Sequence, residues 1–169
     1  RRQARQLRLV PGAQAQPARQ RAHRRLVEAG VDHRHDGAGG NGDVTESHGV
    51  WRQKKGSNVG SPIYFNGHLY WANDGGGVVC CQNATTGEFV YEKRLEPNAG
   101  TIWSSGVLAD GKLYYVSQRN GTFVVAAKPE FELLATNDLR DRGVFNGSPA
   151  VDGNRLLIRS DKFLYCIGK

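Results

Sequence analysis

From Gly49 onward the apolar residues fall mostly in runs of three to five, cut by Asn-Gly, Asp-Gly and other Gly-rich turns. The stretch Gly60-Ser61-Pro62-Ile63-Tyr64-Phe65-Asn66-Gly67-His68-Leu69-Tyr70 reads as strand, tight turn, strand. It recurs as Ser105-Gly106-Val107-Leu108-Ala109-Asp110-Gly111-Lys112-Leu113-Tyr114-Tyr115, and again from Gly147-Ser148-Pro149-Ala150-Val151-Asp152-Gly153 to Leu157. Ser61 to Ser105 is 44 residues and Ser105 to Ser148 is 43. The Asn-Gly and Asp-Gly pairs supply the positive φ angles that a two-residue hairpin turn requires. Each copy continues in the same order. A second turn falls at Asp74-Gly75-Gly76-Gly77, at Arg119-Asn120-Gly121 and at Ser160-Asp161-Lys162, and a third strand follows over 78–81, 122–126 and 163–167. A fourth strand is predicted over 88–92 and 131–135.

Four short antiparallel strands recurring about every 43 residues describe the blades of a β-propeller. A sandwich of short strands would leave the regular recurrence unexplained. The fold expected is therefore all-β: a propeller fragment of about three four-stranded blades from a larger ring, at 60–95, 104–139 and 147–169. The last copy stops after its third strand, so its closing strand is expected in N-terminal sequence beyond this chain. Val50-Trp51-Arg52-Gln53 reads as the outer strand of a preceding blade. A ring of this kind has about four to eight blades, so the missing N-terminal blades are themselves an expected partner.

Charge divides the chain in two. Of the net +7, residues 1–40 carry +6, from nine Arg against Glu28, Asp32 and Asp36, while residues 41–169 are nearly neutral. The chain has no Met, and no aromatic residue precedes Trp51. Residues 1–40 are thus an Arg-rich segment, expected to be disordered or not native to the protein, since so little apolar surface cannot offset the entropy of ordering. A helix over 18–29, after Pro17 and stopped by Gly30, is one local option. A nucleic-acid arm that meets phosphates through Arg19, Arg21, Arg24 and Arg25 is another, although no aromatic is interleaved to stack on bases. His33 and His35 beside Asp32 and Asp36 supply too few ligands for a closed metal site. No run of 18 apolar residues occurs, so no membrane span is predicted.

The repeats resemble those of the pyrroloquinoline-quinone (PQQ)-type β-propeller family, which includes quinoprotein alcohol dehydrogenases and the propeller lipoprotein of outer-membrane protein assembly. The residues that carry the resemblance are the Ser-Pro, Asp-Gly and Tyr-strand order above, and the run Cys81-Gln82-Asn83-Ala84-Thr85-Thr86-Gly87-Glu88-Phe89-Val90-Tyr91. In that run Asn83 stands for the family's Asp, Gly87 is kept, and Tyr91 replaces its Trp. The second copy has Ala127-Lys128-Pro129-Glu130-Phe131 instead. The region from about Gly40 to Gly168 is similar also to uncharacterised propeller proteins of planctomycete-type bacteria, through 50–59, Asn120-Gly121-Thr122-Phe123-Val124 and 159–168. Residues 1–39 lack this similarity, as an upstream frame error would produce.

Candidate chemistry is sparse. Cys80-Cys81 invites comparison with the adjacent-Cys disulfide of quinone enzymes. Its simpler reading is strand packing, with one Cys in the sheet interior and the other not, and with Cys166 in the place of Cys80. Three Cys make no disulfide framework. His68 reads as a solvated edge histidine, and Asp74, Asp110, Asp152 and Asp161 as turn carboxylates that accept nearby backbone N–H groups. Ser57, Ser104 and Ser105 have no base beside them in the sequence. Asn83, Asn120 and Asn146 begin N-glycosylation patterns, but in Gly-rich turns they serve geometry. Trp51, Trp71 and Trp103 are expected to pack between blades. No catalytic, cofactor-binding or metal residue is assigned.

The reading of function is accordingly a non-enzymatic propeller scaffold that binds other proteins through its ring face or blade loops, as part of a larger protein. The resemblance implies a periplasmic or exported location. One alternative is the C-terminal part of a quinoprotein-type dehydrogenase, which alone would bring PQQ and calcium. The other is nucleic-acid contact by the Arg-rich arm.

Overall fold

A computed structural model describes residues 32–35 and 47–168. Strand β1 (Asp32–His35) pairs antiparallel with β2 (Gly49–Gln53) in a two-stranded sheet. Three further antiparallel sheets follow in strict chain order. The first holds β3 (Ile63–Phe65), β4 (His68–Ala72), β5 (Val78–Asn83) and β6 (Phe89–Arg94). The second holds β7 (Val107–Ala109), β8 (Lys112–Val116), β9 (Thr122–Ala126) and β10 (Leu133–Asn137). The third holds β11 (Ala150–Asp152), β12 (Arg155–Arg159) and β13 (Leu164–Ile167). These are three blades of an incomplete propeller, four-, four- and three-stranded, none closed into a barrel.

The first hairpin turns follow the sequence signal in two copies of three. Asn66-Gly67 and Asp110-Gly111 both take positive φ at both positions, the type I′ geometry that matches strand twist. In the third copy Asp152 stays in β11, paired with Arg155, and the two-residue turn is Gly153-Asn154 with only Gly153 at positive φ. The expected Asp-Gly turn is thus displaced by one residue, because Gly at the first turn position satisfies a II′ turn instead. The fourth strand of the second blade runs over Leu133–Asn137, two residues beyond the predicted 131–135.

The turn between the second and third strands shortens by one residue in each copy. Its closing bond runs from Asn73 N–H to Val78 O, from Ser117 N–H to Gly121 O, and from Ser160 N–H to Phe163 O. This changes which third-strand residues correspond. Tyr70 pairs with Cys81, Tyr114 with Val124 and Leu157 with Cys166, so Cys166 stands in the place of Cys81, not of Cys80 as the sequence spacing implied.

Two apolar cores fill the spaces between blades. One joins Tyr70, Ala72, Val79, Cys81 and Tyr91 of the first blade to Leu113, Tyr115, Phe123 and Val125 of the second. The other joins Tyr114, Val116 and Val124 of the second blade to Leu156 and Ile158 of the third, with Phe145 from the linking segment. Alternation along β8 sends Leu113 and Tyr115 forward and Tyr114 and Val116 backward, which is why a middle blade reads apolar on successive positions. Cys80 and Cys81 are free thiols, and both are buried. The expectation that only one would enter the interior fails because the first blade is covered on both faces, with Cys80 opposite the buried Trp71.

Candidate functional site

The repeat builds one face of the ring from the segments that link blades, 57–61, 101–105 and 144–148. Equivalent bonds tie each link to the second turn of a blade. Gln118 N–H donates to Thr101 O and Asp161 N–H to Val144 O, while Ile102 N–H reaches Asp74 O and Phe145 N–H reaches Gln118 O in the preceding blade. At the inner end Ser61 N–H donates to Ser105 Oγ (2.9 Å), and Ser105 N–H donates to Ser148 Oγ (3.0 Å). The Ser that opens each copy is therefore a rung joining adjacent blades. The first strands converge at this end, where β7 and β11 lie within contact distance.

Asp74 anchors the first link. Its Oδ1 accepts the Ser57 hydroxyl at 2.6 Å and the Val59 N–H at 3.3 Å, and its Oδ2 accepts the Asn58 N–H at 2.8 Å. Ser57 Oγ in turn accepts Gly60 N–H at 2.9 Å. Burial opposes ionisation of Asp74, but these donors outweigh it and hold the carboxyl below its ordinary range. Asp161 accepts Val144 N–H at 2.8 Å in the same way. The turn carboxylates predicted at 74 and 161 thus bind backbone across 15 to 17 residues of sequence rather than within their own turns. Asp110 instead pairs with Lys112 Nζ at 2.7 Å.

Between these anchors each link alternates inward and outward. Ile102 and Ser104 are buried, the latter donating from Oγ to Val116 O, and Trp103 between them is 44% exposed. The equivalent residue one blade earlier, Val59, is 56% exposed, and one blade later stands the exposed Asn146, which accepts Gln118 Nε2. Links 57–61 and 101–105 adjoin, since a Cβ on Gly60 would lie 3.4 Å from Ser104 O. Val59 and Trp103 are therefore exposed apolar residues at equivalent positions of adjoining links. Trp103 does not pack between blades as expected, because Ile102 takes the inward place.

The other two Trp residues do pack between elements. Trp71 is buried, edge-on to Phe89. Trp51 lies over Gly87 and donates from Nε1 to Ala84 O (3.1 Å), and Gln53 Nε2 donates to Gly87 O (3.0 Å). One blade later Tyr91 stands edge-on to Phe131, the residue equivalent to Gly87. β2 thus meets the first blade as the outer strand β6 meets the second. Gln82, which sequence reading passed over, is fully buried on this same face, donating to Gly87 O while its Oε1 has no partner among the described residues. A period-two strand signal gives no warning of a polar residue at a covered position.

The remaining candidates are structural. His68 is half-buried beside Tyr70, with Nδ1 bonded to Asn66 O. Burial pushes the Cys81 thiol up to about 11, which leaves it protonated and inert at neutral pH. Asn83 Oδ1 accepts the N–H groups of Thr85 and Thr86, and Asn120 Nδ2 donates to Asn98 O. Asp141 Oδ2 accepts the Tyr165 hydroxyl. Among the described residues no three His, Cys, Asp or Glu gather as a metal set, and no helix is long and apolar enough to cross a membrane. The quinone group does not fit the residues present. The inner ends of the links offer Ser61, Ser105 and Ser148, Trp71 is buried within a blade face, and Trp103 is exposed on a link. His33 and His35 fall on β1. The helix over 18–29 and Arg19, Arg21, Arg24 and Arg25 lie outside the described residues, as does most of the Arg-rich segment.

No family model matches the chain, and no curated protein matches it. Solved structures do. BamB from Moraxella catarrhalis superposes at a TM-score of 0.58 and 11% identity over 85% of this chain, which spans only 41% of that protein. A computationally designed protein, Ika4, superposes at 0.57 and 12% identity over 95% of this chain and 100% of that one. At such identities the likeness is one of fold: the chain is structurally similar to propeller proteins.

Proposed function

We propose that this chain is part of an exported, PQQ-type repeat propeller that acts as a non-enzymatic scaffold, binding another protein through the ring face that its links form. The observation that carries the reading is the outward pair Val59 and Trp103 at equivalent positions of consecutive links. A half-exposed Trp on a frame fixed by Asp74, Ser57 and the Ser rungs loses little entropy on binding, and Trp is the residue type most enriched at interface hot spots. The structural likeness to BamB and the sequence resemblance to the outer-membrane assembly lipoprotein both favour a periplasmic protein partner.

A photo-crosslinking amino acid at position 103, in the full-length protein in its own cells, tests this. Discrete protein adducts at 103 that are absent with the same probe at Glu130, in the turn region at the opposite end of the blades, are the expected outcome. Equal adducts at both positions, or none at 103, overturn it.

A further inference from the structure

The repeat shows which bonds hold every link and where one copy departs. Ser57, Thr101 and Val144 occupy equivalent places in the three links, and Asp74, Gln118 and Asp161 occupy equivalent places in the second turns. In the first copy the turn carboxylate binds the link of its own blade. Asp74 accepts the Ser57 hydroxyl, Asn58 N–H and Val59 N–H. In the third copy Asp161 accepts Val144 N–H. In the second copy Gln118 stands in that place, and its amide turns to the following link, where Nε2 donates to Asn146 Oδ1 at 2.9 Å. Link 101–105 thus keeps the donors of the first copy without their acceptor. Thr101 supplies a hydroxyl where Ser57 does, and Trp103 N–H corresponds to Val59 N–H. Among the described residues neither group has a partner. Charge changes in the same sense, since Gln118-Arg119-Asn120 is a net cation where Asp74-Gly75-Gly76-Gly77 is a net anion.

We propose that link 101–105 takes a carboxylate from the partner protein, an Asp or Glu side chain, in the place that Asp74 and Asp161 fill in the neighbouring blades. The carboxylate accepts the Thr101 hydroxyl and Trp103 N–H, and the segment that carries it packs on the exposed Trp103 ring. The first copy is the precedent. There the same kinds of donor hold Asp74 below the ordinary carboxyl range against the opposing effect of burial, so such a link favours the ionised form. The place lies between the two four-stranded blades. Link 57–61 cannot take a second carboxylate in this way, because Asp74 already fills it. The inference rests on the ring-face reading above and names the chemistry of its partner as an acidic segment.

Gln118→Asp tests it, because that variant gives the second blade the internal carboxylate of the other two. A tethered group competes with a free one through its high effective concentration. With the photo-crosslinking amino acid at position 103 of the full-length protein in its own cells, adducts should fall by about tenfold or more, the worth of hydrogen bonds to one charged group. Gln118→Asn, the uncharged isostere of that variant, should keep most of them. The urea midpoint of Gln118→Asp should be no lower than that of the parent, which separates competition from unfolding. The partner peptide joined to residue 103 should carry an Asp or Glu beside the point of attachment. Changing that acid to its amide should lower the yield as Gln118→Asp does. Adducts undiminished in Gln118→Asp, a lowered urea midpoint, or a joined segment without an acidic residue overturns the carboxylate and leaves the ring-face reading standing. Absence of adducts at 103 in the parent overturns both.

Discussion

At the scale of single residues, a few buried polar groups hold the links alongside the apolar anchors Ile102 and Phe145. Ser57 is buried, and its one hydroxyl donates to Asp74 while accepting from Gly60 N–H. Such a relay stabilises only while Asp74 is ionised, because a protonated carboxyl accepts more weakly. The folded-state pKa of Asp74 lies below the ordinary 3.8, with burial opposing the shift and the Ser57, Asn58 and Val59 donors prevailing. Asp141 is depressed as well, by Ser160 first and by Gly143 N–H. A depressed folded pKa means that the unfolded chain binds the proton more tightly, so the stabilisation is complete above about pH 4 and is lost as pH falls through the folded values. Urea midpoints should therefore be flat from pH 7 to 5 and fall below pH 4. Asp74→Asn should lower the plateau and make the fall shallower, and a slope unchanged by that substitution would remove Asp74 from the account.

At the scale of elements, blade-to-blade docking depends on what occupies the turn before the outer strand. Gly87 has φ of +76°, and an added Cβ would lie 2.7 Å from the Trp51 ring. Gly67 has nearly the same φ, +78°, with open space around it. Alanine at 67 should thus cost only the left-handed backbone term, about 1 kcal/mol. Alanine at 87 should add a steric cost of about 1–3 kcal/mol and lift β2 off the first blade. Chemical denaturation of the pair, with Trp fluorescence followed for release of Trp51, separates the two terms, and equal losses would mean that Trp51 yields freely. The contrast also marks what the sequence could disclose. The hairpins at 66–67 and 110–111 were legible because positive φ at adjacent positions has a residue signature. The turn after the second strand was legible in place, at 74–77, 119–121 and 160–162, but its loss of one residue per copy was not, since no residue signature marks it. That hidden shift is what misassigned Cys166 to the place of Cys80. Trp103 was misplaced for a related reason, because composition marks an aromatic as apolar but does not say which side of a link it takes.

At the scale of the molecule, the three blades differ in how many of their faces are covered, and local stability should follow that order. The second blade is packed on both sides, with Leu113, Tyr115, Phe123 and Val125 in one core and Tyr114, Val116 and Val124 in the other. The third contributes one face, Leu156, Ile158, Tyr165 and Ile167, and leaves Leu164 and Cys166 outward. In an array where each unit contacts only its neighbours, stability is a sum of unit and interface terms, so a unit with one interface opens before a unit with two. Amide exchange of the dilute chain should therefore be slowest in β8 and β9 and faster by about tenfold or more in β12 and β13, the factor that 1.4 kcal/mol of lost interface supplies. The first blade belongs with the second on this argument, because Trp71, Cys80 and Gln82 on its forward face are as buried as the core behind it. Protection in β4 and β5 close to that in β8 would confirm that the β2 sheet acts as a true neighbour. Exchange there as fast as in β12 would show instead that Trp51 on Gly87 caps the blade without stabilising it.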